Sequence, residues 1–213
     1  MDIDGVIFDL DGTLWDSTEV LARAWSGVIK DVEGIDLTIN KEDVEGCMGL
    51  VIRDIVKKLF SNQSYEPQKL LMDNICIRQR EYLSKEGGIL YENLEETLKL
   101  LSNQYPLFIV SNCQSDYIET FLSYHKLGKY FKDIECEGNT GFTKEKNIII
   151  LSERNKLKNP VYVGDTQVDF EAAVYANIPF IYAQYGFGKV EGHNYSINSI
   201  KELVELLDKL SAN

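Results

Sequence analysis

Acidic side chains at separate points of the chain could do chemistry together. The first point is Phe8-Asp9-Leu10-Asp11-Gly12-Thr13-Leu14. Val6, Ile7 and Phe8 lead into it as an apolar strand, and ligand sites in open α/β sheets lie at the carboxyl ends of strands. Residues two apart along an extended segment point the same way, so Asp9 and Asp11 are expected to reach one site. Gly12 then permits a sharp departure from the sheet. Two close carboxylates repel unless a cation or a shared proton intervenes. The pair therefore suits a division of labour in which one carboxylate stays ionised and attacks. The other gives a proton to a leaving oxygen and later takes one from water. A bare Asp-x-Asp is also a common strand-end turn, so the reading needs support elsewhere in the chain.

Val161-Tyr162-Val163-Gly164-Asp165-Thr166, followed by Asp169, supplies it. A second strand delivers Asp165 to its carboxyl end. If a helix begins near Thr166, Asp165 and Asp169 lie four apart on one face. Carboxylates meeting the Asp9/Asp11 pair would make a hard-cation site of the kind Mg2+ takes. The expected ligands are Asp9, the backbone carbonyl of Asp11 and Asp165, with Asp169 holding metal-bound waters. Phe108-Ile109-Val110-Ser111-Asn112 ends a third strand. There the Ser111 hydroxyl and the Asn112 N–H could bind phosphate oxygens, and Thr13 joins them as a substrate-binding candidate. Gly141-Phe142-Thr143-Lys144-Glu145-Lys146 opens a helical segment. A lysine there could neutralise both the attacking carboxylate and a transferring phosphoryl group; Lys144 is the first choice and Lys146 the reserve. Gly46, Met48, Gly49 and Arg53 mark a turn and the helix after it, and Arg53 is the candidate to face a leaving group. Trp15 reads as a core aromatic.

The elements that must position these groups are of two kinds. Short apolar runs at Gly5–Asp9, Leu107–Ser111, Asp133–Cys136, Val161–Gly164 and Phe180–Ala183 read as parallel strands. Helical patterns separate them: Leu94, Leu98 and Leu101; Ile148, Ile149 and Leu151; and Ile200, Leu203, Val204, Leu207 and Leu210. Alternating strands and helices predict an α/β sheet of Rossmann-like type covered on both faces. Residues 17–85 break the alternation with helical stripes only: Val20 to Val32, Val51 to Phe60, and Leu70, Leu71, Ile75 and Tyr82. They predict an inserted all-helical cap over the sheet edge.

Composition narrows the partners. The net charge of −12 repels nucleic acid and anionic membranes. No run nears the roughly 18 apolar residues of a membrane helix. The acidic start, Met1-Asp2-Ile3-Asp4, is unlike a secretory signal, so a cytoplasmic protein is expected. Four cysteines without a CxxC pair read as reduced thiols.

Taken together, Asp-Leu-Asp-Gly-Thr after an apolar strand, a Ser at a second strand end, a downstream Lys and Gly-Asp-Thr-x-x-Asp after another strand resemble the haloacid dehalogenase superfamily, in its phosphatase branch. The resemblance covers residues 1–16 and 86–213 as the catalytic core. The helical block 17–85 resembles the cap of phosphoglycolate phosphatase-like members, which opens and closes over the site. It implies Asp9 as nucleophile, Asp11 as general acid/base, Ser111 as phosphate binder, Lys144 as the motif lysine, Asp165 as metal ligand, Asp169 as the second acid of that motif, and Mg2+ as cofactor. The expected activity is hydrolysis of a small phosphorylated metabolite by a monomer or weak homodimer. Sugar-phosphate mutases of the branch carry a cap histidine where this chain has Leu21, which argues against phosphoryl transfer between sugar hydroxyls. Dehalogenation would leave Asp11, Asp165 and Asp169 without a purpose, and a retired binding protein would not need four clustered acids.

Overall fold

A computed structural model describes residues 1–31, 37–61 and 65–212. Val6, Ile7 and Phe8 of β1 (Gly5–Phe8) are buried on both faces of the sheet, the condition under which a strand reads as an unbroken apolar run. The chain then makes a two-residue ribbon, β2 (Trp15–Asp16) paired antiparallel with β3 (Ile89–Leu90). Between them lie α1 (Thr18–Lys30), α2 (Lys41–Glu45), α3 (Ile52–Leu59) and α4 (Tyr65–Glu86), with no strand among the described residues. After β3 come α5 (Leu94–Ser102), β4 (Leu107–Ser111), α6 (Tyr117–His125), β5 (Phe131–Cys136), α7 (Glu137–Thr140) and α8 (Lys144–Asn155). Then follow β6 (Pro160–Gly164), α9 (Gln167–Tyr175), β7 (Phe180–Ala183), β8 (Tyr195–Ile197) and α10 (Glu202–Ser211).

Six strands form one parallel sheet in the order β5-β4-β1-β6-β7-β8. β1 is central, with β4 on one side and β6 on the other, so the direction of chain progression reverses at its carboxyl end. That switch point is where open α/β sheets leave a crevice. Alternate residues of the central strands feed two cores. Val6, Phe8, Ile109 and Val163 join Leu98, Leu203 and Leu207 on one face. Ile7, Phe108, Val110 and Tyr162 join Ile148, Leu151, Ala172 and Ala173 on the other. This is the expected α/β sheet with helices on both faces.

The helices between β2 and β3 share the first core through Leu21, Trp25, Val28, Leu71 and Ile75. The third stripe is shifted from the expected one. α4 buries Leu71, Ile75, Gln79 and Leu83, four residues apart, and leaves Leu70 exposed. Val32 of the first stripe lies outside the described residues. No described helix is long and apolar enough to cross a membrane.

Candidate active site

Asp9 follows β1 directly, its N–H still bonded to the Val163 carbonyl of β6 at 2.8 Å. Asp165 follows β6 in the same way. The chain can bring the two together because residue 12 is glycine. Gly12 has φ +85°, and a β-carbon there would stand 2.2 Å from Asp165 Oδ2. Asp165 is fixed by the Phe187 N–H at 2.8 Å and the Thr13 hydroxyl at 3.3 Å.

Asp169 reaches the cluster by a route other than the expected one. Asp165 precedes the helix, whose N-cap is Thr166, so the two acids are not neighbours on a helix face. Asp169 is instead the third residue of a capping box and folds back over the strand end. Its Oδ2 accepts from the Thr166 N–H at 2.9 Å and the Thr166 hydroxyl at 2.6 Å. Oxygens of Asp9, Asp165 and Asp169 lie within 4.8 Å of one another, all buried.

Lys144, at the start of α8, enters this acidic nest and is itself buried. Its Nζ donates to Asp9 Oδ1 at 2.7 Å and to Asp169 Oδ1 at 2.6 Å. Lys146 lies over the Phe142 ring instead, 5.4 Å from its centre, so the structure brings Lys144 and not Lys146 to the acids. Burial works against the Lys144 ammonium, but the charges of Asp169 and Asp9 outweigh it and hold the lysine above its ordinary range. Burial pushes Asp9 well up, and the charges of Asp169 and Asp165 add to this while Lys144 opposes it. Burial, with the Asp169 charge, raises Asp165 to about 7. Three buried carboxylates against one ammonium leave an excess of negative charge on hard oxygen donors. A divalent cation of the Mg2+ type fits that set. Asp169 is held through both oxygens by Lys144 and Thr166, so Asp9 and Asp165, the two acids that directly follow strands β1 and β6, are the ones placed to bind it.

Asp11 sits in a different environment. Three neutral donors converge on its Oδ1: the Trp15 indole N–H at 2.9 Å, the Ser17 hydroxyl at 2.5 Å and the Tyr117 hydroxyl at 3.0 Å. Burial raises its pKa, and these three hydrogen bonds pull against it. Trp15 is thus a core aromatic whose polar edge has a job. Ser17 and Tyr117 were not found from the sequence; a Ser one residue before a helix is too ordinary a signal, and Tyr117 lies far along the chain.

Asp9, Asp11, Ser111 and Lys144 line one cavity of about 40 Å³. Leu21, Trp25, Met48, Leu50 and Ile55 from the helical insertion line its other side, with Gly49, Asn112, Gln79, Gln114 and Tyr117. Thr13 stands behind Asp165, not in the cavity wall. The turn holding Met48 and Gly49 does reach the site, but Arg53 does not. α3 buries Ile52, Ile55 and Val56, which turns Arg53 outward to solvent, 3.9 Å from Asp54. Asn112 spans the two layers by donating from Nδ2 to the Gly49 carbonyl at 2.9 Å. Gln79 of α4 donates to Gln114, and Arg80 to Asp116 at 2.5 Å, so the insertion rests on the loop after β4.

Comparison with known proteins agrees with this arrangement. Residues 6–183 match the family described as haloacid dehalogenase-like hydrolase. A phosphoglycolate phosphatase of Aliivibrio fischeri is 30% identical over 203 residues, covering 89% of this chain and 88% of that protein. One of Aquifex aeolicus is 26% identical and covers 95% and 96%. Among solved structures, a predicted phosphatase from Clostridium acetobutylicum superposes with a TM-score of 0.81 at 25% identity over 98% of this chain and all of that one. A predicted phosphoglycolate phosphatase from Haemophilus somnus superposes with a TM-score of 0.83 at 21% identity, over 97% and 99%.

Proposed function

The chain belongs to the haloacid dehalogenase-like hydrolases, and from that premise we propose that it hydrolyses a small phosphate monoester through an aspartyl-phosphate on Asp9, with Mg2+ as cofactor. It is a phosphoric monoester hydrolase of the phosphoglycolate phosphatase-like kind. The observation that carries the mechanism is the meeting of Asp9 and Lys144 at 2.7 Å in a cavity that Asp11 and Ser111 also line.

Each residue has work to do. An Asp9 carboxylate oxygen attacks phosphorus, forming the Asp9–phosphorus bond as the ester oxygen leaves. Asp11 has its Oδ1 committed to three donors, which leaves Oδ2 to carry the proton handed to that oxygen. Water then attacks the aspartyl-phosphate and gives its proton back to Asp11, releasing inorganic phosphate and the free Asp9 carboxylate. The Ser111 hydroxyl and the Lys144 ammonium offset charge on the phosphoryl oxygens. Asp9, Asp165 and the Asp11 carbonyl would hold Mg2+, which when bound offsets the charge of the acids and of the phosphate. Asp169 acts through Lys144, which it orients.

We read residues 17–85 as a cap on a core of 1–16 and 86–213. The cavity volume supports this, since about 40 Å³ admits little more than water and an ester would enter only when the insertion swings away. Leu21, at the position where mutases carry a histidine, is buried in the cavity wall, which favours hydrolysis over mutase chemistry.

The test is turnover of p-nitrophenyl phosphate with and without Mg2+, in wild type and in Asp9→Asn. Wild type is expected to need the metal, and the variant to lose turnover while staying folded. Unchanged activity in Asp9→Asn would remove the nucleophile.

A further inference from the structure

The cavity contains its own statement about the leaving group, and it rests on the phosphatase reading above. All 22 lysines and arginines of the chain lie among the described residues. Of these, Lys144 alone lines the cavity, and it is already held by Asp9 and Asp169. Other cationic side chains of the helical insertion are engaged elsewhere: Arg80 with Asp116, Arg78 with Asp31, Lys41 with Asp16, and Lys58 with the Gly46 carbonyl. The wall facing the acids is mainly apolar, built from Leu21, Trp25, Met48, Leu50 and Ile55.

The polar groups in that wall are neutral, and their orientation can be fixed. The Gly49 carbonyl only accepts, so Asn112 must present Nδ2 to it, at 2.9 Å. Its Oδ1 is then an acceptor, and that atom is buried with no donor among the described protein atoms. The Trp25 indole only donates, so Gln79 must present Oε1 to it, at 3.0 Å, and its Nε2 to Gln114. A buried acceptor without a donor is costly, and the natural remedy is an O–H. A carboxylate brought to the same wall would meet an acceptor oxygen, apolar side chains and the nearby Asp11, with no free cation to receive it.

We infer that the site takes phosphate esters whose leaving group is uncharged and carries a hydroxyl, a small polyol or sugar type of alcohol, and discriminates against a carboxylate-bearing ester such as phosphoglycolate. The inference comes from the joint presence of an orphaned acceptor, Asn112 Oδ1, and a cavity wall without a free cation.

Three esters of nearly equal size test it: 2-hydroxyethyl phosphate, ethyl phosphate and phosphoglycolate, assayed with Mg2+ beside p-nitrophenyl phosphate. The expected order of kcat/KM is hydroxyethyl, then ethyl, then phosphoglycolate, with about tenfold or more between first and last. Asn112→Ala should bring the hydroxyethyl-to-ethyl ratio close to one. Phosphoglycolate at or above 2-hydroxyethyl phosphate overturns the inference and leaves the phosphatase reading standing. An unchanged hydroxyethyl-to-ethyl ratio in Asn112→Ala overturns the role of its carbonyl oxygen. No turnover of any of the four esters overturns the phosphatase reading, and this inference with it.

Discussion

Replacing Lys144 with Met keeps the length of the side chain and removes its charge. In the wild type the ammonium stands 2.7 Å from Asp9 and 2.6 Å from Asp169, with all three groups buried. At an effective dielectric of about 20, each contact is a gross attraction of roughly 6 kcal/mol. Desolvation of the lysine cancels much of that, and removing one partner from a buried pair costs about 3–5 kcal/mol net. For a chain of this size, 1 kcal/mol moves Tm by roughly 2–4 °C, so the metal-free variant should melt roughly 10 °C lower near pH 7. The loss should depend on pH in a definite direction. Burial already holds the Asp9 carboxyl above its unfolded value, and without Lys144 it rises further. A group raised in the folded state contributes fully below its unfolded pKa and loses that contribution as pH rises through its folded pKa. The Tm deficit should therefore shrink as the buffer is taken from near pH 7 to about pH 5. Thermal melts in EDTA at both pH values are the assay. A variant melting within about 2 °C of wild type near pH 7, or a deficit that widens on acidification, would refute the idea that Lys144 neutralises the nest. Turnover should fall by about 10²–10³.

Other perturbations probe separate joints of the site. Saturating Mg2+, at about 100 times its dissociation constant, should stabilise wild type by about 2.7 kcal/mol. Asp165→Asn should lose most of that shift while melting no lower than wild type without metal, because the carboxyl it removes is raised to about 7. The same shift means that metal-free wild type should lose stability as pH rises through about 7 and that Asp165→Asn should lose less, which melts across pH would show. Gly12→Ala should cost several kcal/mol, roughly 3 or more, since the backbone is left-handed there and the new carbon would meet Asp165 at 2.2 Å. A normal melt with normal Mg2+ response would contradict it. Tyr117→Phe removes one of three donors to Asp11 and should lower kcat about tenfold without unfolding the protein; unchanged kcat would show that the hydroxyl is idle.

The sheet was legible because its central strands are buried on both faces. Leu107–Ser111 and Phe180–Ala183 were expected with the bounds they have, and β1, β5 and β6 differ by one or two residues at an end. The strands that went unread are the two-residue ribbon of β2 and β3, and β8, whose Tyr195-Ser196-Ile197 is too short and too polar to stand out from a loop. Within the site, Asp9, Asp11, Ser111, Lys144 and Asp165 were readable because each lies in a short motif at or just after a strand end, or at the start of a helix. The wall contributed by the insertion was not. Gln79 falls at the spacing of Leu71, Ile75 and Leu83, but a polar residue in mid-helix does not by itself say that it shares their buried stripe. Arg53 looked like a reader of the leaving group only because it lies near the right turn; which face of α3 is buried could be settled only by packing.

The pair Asp9 and Asp11 shows how proximity in sequence gives way to difference in environment. Both line one cavity, as their spacing suggested, but the strand ends at Phe8, and Asp11 belongs to a turn that closes through the Gly12 N–H and the Trp15 carbonyl at 2.9 Å. That turn carries Asp11 away from the charged nest and into a set of neutral donors. Asp9 stays among charges, where burial, Asp169 and Asp165 oppose its ionised form, Lys144 favours it, and a cation would tip the balance toward ionisation. Asp11 gains only partial relief from indole, hydroxyl and phenol, which do not repay its burial in full, so its carboxyl too is raised, with neutral donors instead of charges around it. Two carboxylates of the same type thereby sit in different surroundings, and a divalent cation held beside Asp9 would set their protonation apart in the sense that the proposed nucleophile and proton donor need. The physical device is the four-residue turn, and its sharpness depends on Gly12.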